Sequence, residues 1–209
     1  MPFQITRAGA LRLVAGFAAL VAFGPAAPSY AAGYPDHPIT LVVAFTPGGP
    51  SDVLARIVGK KMSELLDVPV VIENKPGAGG NIAGEYTAHA KADGYTLLMG
   101  NNSILATNES LYKKLNYKPE TDFAPITLIG TQANILVVNP KVPAHSLKEL
   151  IALCKAQPGK INFASSGYGA AAHLAGELFK TQAKVDIVHV PYKGAAPALQ
   201  DVIAGSDQM

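Results

Sequence analysis

The sequence predicts an α/β fold in two lobes, and three observations carry that prediction. Apolar, β-branched runs alternate with amphipathic helical runs, the pattern of parallel, doubly wound sheets. Gly-rich loops stand at the ends of the apolar runs, just before the helical ones. Between residues 123 and 139 the alternation breaks, and it then restarts, which marks a crossing between lobes.

Residues 39–45 are a continuous apolar run with β-branched members, as in a strand buried on both faces. A helix follows over 51–67. Leu54, Ile57, Val58, Met62 and Leu65 recur at three and four, one apolar stripe read as core, and Ser51 or Asp52 can cap the first turn. A strand over 68–73, a Gly-rich loop and a helix of small residues over 81–91 come next. A third strand over 95–100 follows an Asp93-Gly94 turn, ends at Asn101-Asn102-Ser103, and leads to a helix over 106–115. Two strand-like runs, 123–130 and 134–139, then come close together.

The restart is a helix over 146–156, where Ser146 and Glu149 complete a capping box and Pro158-Gly159 stops the run. A strand over 161–164, a helix over 169–181, a strand over 187–190 and a helix over 195–203 complete the chain. About two strand–helix units are few for a covered sheet, so the second lobe reads as incomplete.

The chain has 209 residues with 17 basic and 15 acidic side chains. Arg7 and Arg12, an apolar run over 13–23, and Ser29-Tyr30-Ala31 have the layout of a cleaved secretory signal peptide over 1–31. That apolar run is too short for a bilayer, which needs about 20 residues. Removing Arg7 and Arg12 leaves the basic residues equal to the 15 acidic ones. That balance argues against nucleic acid or an anionic membrane as the main partner. Cys154 stands alone, so no intrachain disulfide can form, and it is read as a small apolar core residue.

The chemistry gathers at the strand ends, where ligands sit in open α/β sheets. Four loops recur there: Pro47-Gly48-Gly49, Gly77-Ala78-Gly79-Gly80, Ser165-Ser166-Gly167 and Lys193-Gly194. Each alone is compatible with an ordinary turn; four at one edge point to a ligand. Phe45-Thr46-Pro47-Gly48-Gly49-Pro50-Ser51-Asp52 and Ser165-Ser166-Gly167-Tyr168-Gly169-Ala170 hold no Lys or Arg, and each opens a helix. Helix starts present unpaired N–H groups and a positive dipole end, suited to a small carboxylate. Asp52 is the one acid in such a loop. It would repel an anion if directly exposed, so it is expected to cap the helix or face the loop.

Three rival chemistries find less support in the residues. No Gly-x4-Gly-Lys-Ser/Thr run exists, and the dinucleotide fingerprint begun at Gly77 and Gly79 has Ile82 where a third Gly belongs. The serine pair sits where a nucleophile elbow would, but Gly-x-Ser-x-Gly is absent; an exported α/β hydrolase using Ser166 is the alternative function. His37, His89, His145, His173 and His189 are scattered and lack metal-site spacing, so neither a metal nor a cofactor is expected. His173, two turns into the helix after Ser166, is the one histidine drawn toward the site.

These residues give the chain its resemblance. Tyr34-Pro35, Pro38-Ile39, Phe45-x-Pro47-Gly48-Gly49-x-x-Asp52, Glu73-Asn74-Lys75-Pro76-Gly77-Ala78-Gly79-Gly80 and Ala92-Asp93-Gly94-Tyr95-Thr96-Leu97 occur in order. Asp122-Phe123-Ala124-Pro125-Ile126, Ser165-Ser166-Gly167-x-Gly169, His173-Leu174-Ala175-Gly176-Glu177 and Val190-Pro191-Tyr192-Lys193-Gly194 follow. From Tyr34 onward the chain resembles the substrate-binding proteins of tripartite tricarboxylate transporters, the Bordetella uptake (Bug) family. The resemblance implies a two-lobed periplasmic-binding-protein-like fold of type II, with lobe 1 over 32–131 and lobe 2 over 132–209.

It also implies a monomeric periplasmic receptor that closes on a small organic acid and delivers it to a cognate membrane permease, without catalysis. On matching positions it points to Thr46, Pro47, Gly48, Gly49, Gly79, Asn101 and Ser103 in lobe 1, with Asp52 beside them. In lobe 2 it points to Ser165, Ser166, Gly167, Ala170 and His173. Two departures stand out. The family's chains continue past residue 209, so this one reads as C-terminally truncated. Asn116-Tyr117-Lys118-Pro119 also replaces the usual Pro-Tyr-Asp-Pro turn.

Overall fold

Strand β1, Ile39–Val43, is the centre of the first sheet because it is apolar on both faces. In the computed structural model, which describes residues 33–209, β1 pairs in parallel with β2, Val70–Asn74, and with β3, Thr96–Met99, giving the order β2-β1-β3. Leu41 and Val43 pack with Ala55 and Met99 on one face; Val42, Ala44 and Phe45 pack with Ala83, Ile104 and Tyr117 on the other. The elements described below lie within one compact unit, His37–Met209. The expected signal peptide over 1–31 lies outside the described residues.

Helix α1, Pro50–Leu66, covers one face, but not through the expected stripe. Its buried side is Asp52, Ala55 and Gly59, whereas Ile57 is 62% and Leu65 72% exposed. Leu54 is also exposed, and Val58 and Met62 are half-buried. The reason is close approach: a Cβ on Gly59 would lie 2.9 Å from Ile72 Cδ1, so small residues set the helix against β2 and the large ones turn outward. The helix begins one residue earlier than expected, with Pro50 at its first position and Gly49 as its cap, and neither Ser51 nor Asp52 is that cap.

Helix α2, Asn81–Ala88, covers the other face, packing through Ala83 and Gly84. The helix expected over 106–115 is a π-helical turn, Ser103–Thr107, running into a short helix α3, Asn108–Leu111. It starts early because Asn101 Oδ1 accepts from the amides of Ser103 (2.9 Å) and Ile104 (3.2 Å). A one-turn helix α4, Pro119–Asp122, follows.

The strands expected over 123–130 and 134–139 do not form. These residues form no regular secondary structure and are largely exposed, with Ile126 and Leu128 each 78% exposed. Strand-type sequence needs a partner edge, and among the described residues the backbone bond from this stretch to a distant segment is Asn139 N to Gln208 O, 2.9 Å.

The alternation then resumes as the sequence predicts. In α5, Leu147–Ala156, Ser146 Oγ accepts from the Glu149 amide at 3.2 Å. Glu149 Oε2 accepts in return from the amide of His145, 2.7 Å, one residue before the cap. Strands β4, Asn162–Ser165, and β5, Val188–Pro191, pair in parallel, Phe163 opposite His189. Bonds from Met209 N to Asn162 O and from Ala164 N to Met209 O set Met209 beside Phe163 in parallel register on the other edge of β4. Helix α6, Ala171–Ala183, and helix α7, Ala195–Ala204, complete the units. Leu150, Cys154, Ile161, Phe163, Val185 and Ile187 form this sheet's own core, with Cys154 fully buried as expected.

Candidate functional site: the facing strand ends

Each expected ligand loop stands at the carboxyl end of a parallel strand. After β1 the chain runs through Phe45 and Thr46 into Gly48, whose φ of 84° is a left-handed conformation that only glycine adopts without strain. Asp52, in the first turn of α1 and 3% exposed, turns back beneath this loop. Its Oδ2 accepts from the Gly48 amide at 2.9 Å. Arg56 grips both carboxylate oxygens, at 2.9 and 3.0 Å. Asn74 Nδ2, at the end of β2, donates to Asp52 Oδ1 (2.9 Å) and to Phe45 O (3.0 Å). The Arg56 bonds, helped by the Gly48 amide and Asn74 and opposed by burial, hold the Asp52 carboxyl down at about 2. Asp52 therefore faces the loop, not an anion above it.

Beside it, at the end of β3, Asn101 spends its oxygen on the turn amides. Its Nδ2 is buried without a partner, as are Ser103 Oγ and Thr46 Oγ1. β1 and β3 are neighbours in register, so these three groups belong to adjacent strand ends. Uncompensated burial of such groups costs stability, which makes them candidates for a ligand's oxygens.

On the second sheet, Ser165 ends β4 and is buried. Its Oγ accepts from the Gly167 amide at 3.1 Å and lies 2.6 Å from His189 Nε2 on β5. Ala170, also buried, caps α6, and its amide bonds Gly167 O at 3.2 Å. His173 Nδ1 accepts from the Gly169 amide at 3.2 Å. His173 and His189, scattered in sequence, stack with ring centroids 4.1 Å apart. Burial lowers the basicity of both imidazoles, and His173 lowers His189 further, to about 4. The histidine contact falls on Ser165 and not Ser166, which removes the geometric support for Ser166 as a base-activated nucleophile.

The two sheets meet through these loops, in a pairing the sequence did not suggest. Pro47-Gly48-Gly49 comes against the Lys193-Gly194 loop and the start of α7. Thr46 N donates to Lys193 O at 3.1 Å, and Cβ atoms on Gly48 and Gly49 would meet Ala196 and Ala195 at 3.7 and 3.9 Å. A Cβ on Gly194 would collide with Thr46 Oγ1. The Ser165–Gly169 loop instead lies against the ends of β2 and β3. A Cβ on Gly79 would sit 2.5 Å from Tyr168 O and 2.8 Å from the Tyr112 hydroxyl, and Asn102 Nδ2 reaches Gly169 O at 3.5 Å. Asn108, fully buried, holds Gly79 O and Asn81 Oδ1 with its amide nitrogen at 3.0 and 2.6 Å.

Sequence reasoning missed Asn74, Asn108, His189 and the role of Lys193-Gly194; only the last carried a local signal, as a fourth Gly-rich strand end. Among the described residues no three His, Cys, Asp or Glu side chains gather as metal ligands, and no helix is long and apolar enough to cross a membrane.

Parallel sheets meeting at their glycine-rich strand ends define the class: the fold is that of periplasmic solute-binding proteins. The chain belongs to the tripartite tricarboxylate transporter receptor family, whose model matches residues 54–209. That family is one of receptors, not enzymes. The chain is 44% identical to BugT of Bordetella pertussis, an alignment covering 87% of this chain and 56% of BugT. A Rhodopseudomonas palustris protein solved with adipate superposes with a TM-score of 0.82 at 41% identity, over 84% of this chain and 59% of that one. MatC from the same organism, solved with bound malate, superposes with a TM-score of 0.79 at 34% identity, over 84% of this chain and 60% of that one. The chain thus spans less than two thirds of the length of these relatives.

Proposed function

We propose that this protein is a periplasmic receptor that captures a small carboxylate between two lobes, 32–131 and 132–209, and hands it to a tripartite tricarboxylate-type permease. The observation that carries the reading is the trio of buried, unpartnered polar groups, Thr46 Oγ1, Asn101 Nδ2 and Ser103 Oγ, at adjacent strand ends that meet a second set of strand ends. Adipate and malate in the solved neighbours support the ligand class. Hydroxyl and amide donors hold the anion without a cation, each charge-assisted bond contributing about 1.5–3 kcal/mol.

The remaining site residues divide the work. Gly49, Gly79 and Ser166 offer backbone or hydroxyl donors, while Pro47, Gly48, Asp52, Ser165, Gly167, Ala170 and His173 shape the loops. Contacts on both sides favour closure, which excludes water. The receptor acts as a monomer and takes its address from the signal peptide. Calorimetry of the protein with adipate, malate and a panel of mono-, di- and tricarboxylates tests the reading. The double variant Ser166→Ala/Gly48→Val should abolish binding, and unchanged affinity would overturn the site assignment.

A further inference from the structure

The Ser165–Gly169 loop is held from both ends by the two stacked imidazoles. At its start, Ser165 Oγ meets His189 Nε2 at 2.6 Å while taking the Gly167 amide at 3.1 Å. At its end, the Gly169 amide donates to His173 Nδ1 at 3.2 Å. The rings then lock to each other and to their surroundings. Phe163 also stacks on His189 at 4.8 Å, and the Tyr168 ring stands edge-on to His189 at 5.1 Å and to His173 at 5.5 Å. Between the two clamped ends, Gly167 adopts φ 131°, and a Cβ there would lie 3.0 Å from Tyr192 O. Glycine makes this backbone accessible, and the two clamps select it.

We propose that His189 is a positioning residue for ligand binding: with His173 it forms a neutral stacked pair that fixes the Ser165–Gly169 loop in its binding shape. The inference rests on the receptor reading above and adds to it a residue of β5 that acts through Ser165. For His173 neutrality follows from its bond, while for His189, whose Nε2 can donate to or accept from Ser165 Oγ, burial and the stacked His173 ring disfavour charge. An imidazole nitrogen that accepts from the Gly169 amide cannot carry a proton, so charging His173 turns an acceptor into a donor and breaks that bond. The groups facing the pair are Ser165 and Phe163 from β4, Tyr168 from the loop, and Glu177 with Lys180 from α6; these last two are themselves ion-paired at 3.2 Å. Direct contact of a charged His173 with a carboxylate would instead strengthen binding in acid.

The test uses the full chain and two variants. His189→Phe keeps a ring in the stack and loses the bond to Ser165; His189→Gln puts an amide where Nε2 stood. In His189→Phe we expect the Gly167 amide resonance to move, its exchange to speed up, and the affinity for adipate or malate to fall about tenfold, the equivalent of one lost hydrogen bond. His189→Gln should recover most of each effect. In the wild type the Gly169 amide should follow an ionisation below the ordinary histidine range. An unmoved Gly167 amide and unchanged affinity in His189→Phe overturn the proposal, as does a Gly169 amide indifferent to histidine charging. If the wild type binds neither acid, the receptor reading fails, while the Gly167 and Gly169 amides still decide whether the pair positions the loop.

Discussion

The Thr46–Asp52 loop and the Ser165–Gly169 loop stand at equivalent places, each between a parallel strand and the helix that follows it, yet they are held by opposite electrostatics. The first is tied down by a charged group: Asp52, 3% exposed, bound to the Gly48 amide, Arg56 and Asn74. The second is tied down by neutral groups, the imidazoles of His173 and His189 and the Ser165 hydroxyl. A ligand loop can therefore lack cations of its own and still be rigid, because the support comes from beneath and from neighbouring strands. The difference also means that the two loops should fail for different reasons.

The largest effect is expected from Asp52→Ala. It leaves the Gly48 amide without its acceptor and Asn74 with Phe45 O alone, and should cost about 3 kcal/mol in urea unfolding. The acid profile separates the loops. The folded Asp52 carboxyl, at about 2, lies below its ordinary 3.8, so its contribution is full above pH 3.8 and is lost as pH falls through 2. His189, at about 4, lies below its ordinary 6.5, so the unfolded chain takes up that proton first, and stability falls as pH drops from 6.5 to 4. Urea midpoints across this range should show two stages. His189→Gln should flatten the upper one and Asp52→Asn the lower; a single stage removed by either variant would break the comparison.

Smaller effects sharpen it. Gly194→Ala drives a methyl onto Thr46 Oγ1 and should cost about 1–3 kcal/mol by overpacking, with weaker carboxylate binding as the loops are wedged apart. Calorimetry and urea unfolding of that variant check both parts. Ser165→Ala loses the acceptor for the Gly167 amide and the partner of His189, and should cost about 1 kcal/mol. Ser166→Ala, beside it but half-buried and without that histidine contact, should change thermal stability by less than about 0.5 kcal/mol while lowering affinity.

Much of the fold was legible because local burial writes itself into local periodicity. The β-branched, largely apolar run of β1 gave its central place, and the Ser146/Glu149 spacing gave the cap of α5. The α1 stripe misled because the sheet selects the helix face that approaches closest, through Ala55 and Gly59, not the most apolar one. The runs at 123–130 and 134–139 misled because β propensity describes a strand with a neighbour, and the described residues supply them almost none.

The sequence by itself determined the alternating α/β pattern, the place of every Gly-rich loop at a strand end, and the absence of cations in the two loops that matter. Only the tertiary structure decided which loops face each other. It set Thr46 against Lys193-Gly194, Tyr168 against Gly79, and His189 against both Ser165 and His173. The reason is physical. Period and propensity report on the nearest turns of the chain, whereas contacts between two sheets depend on how far apart and in what register the strands that carry them are laid down.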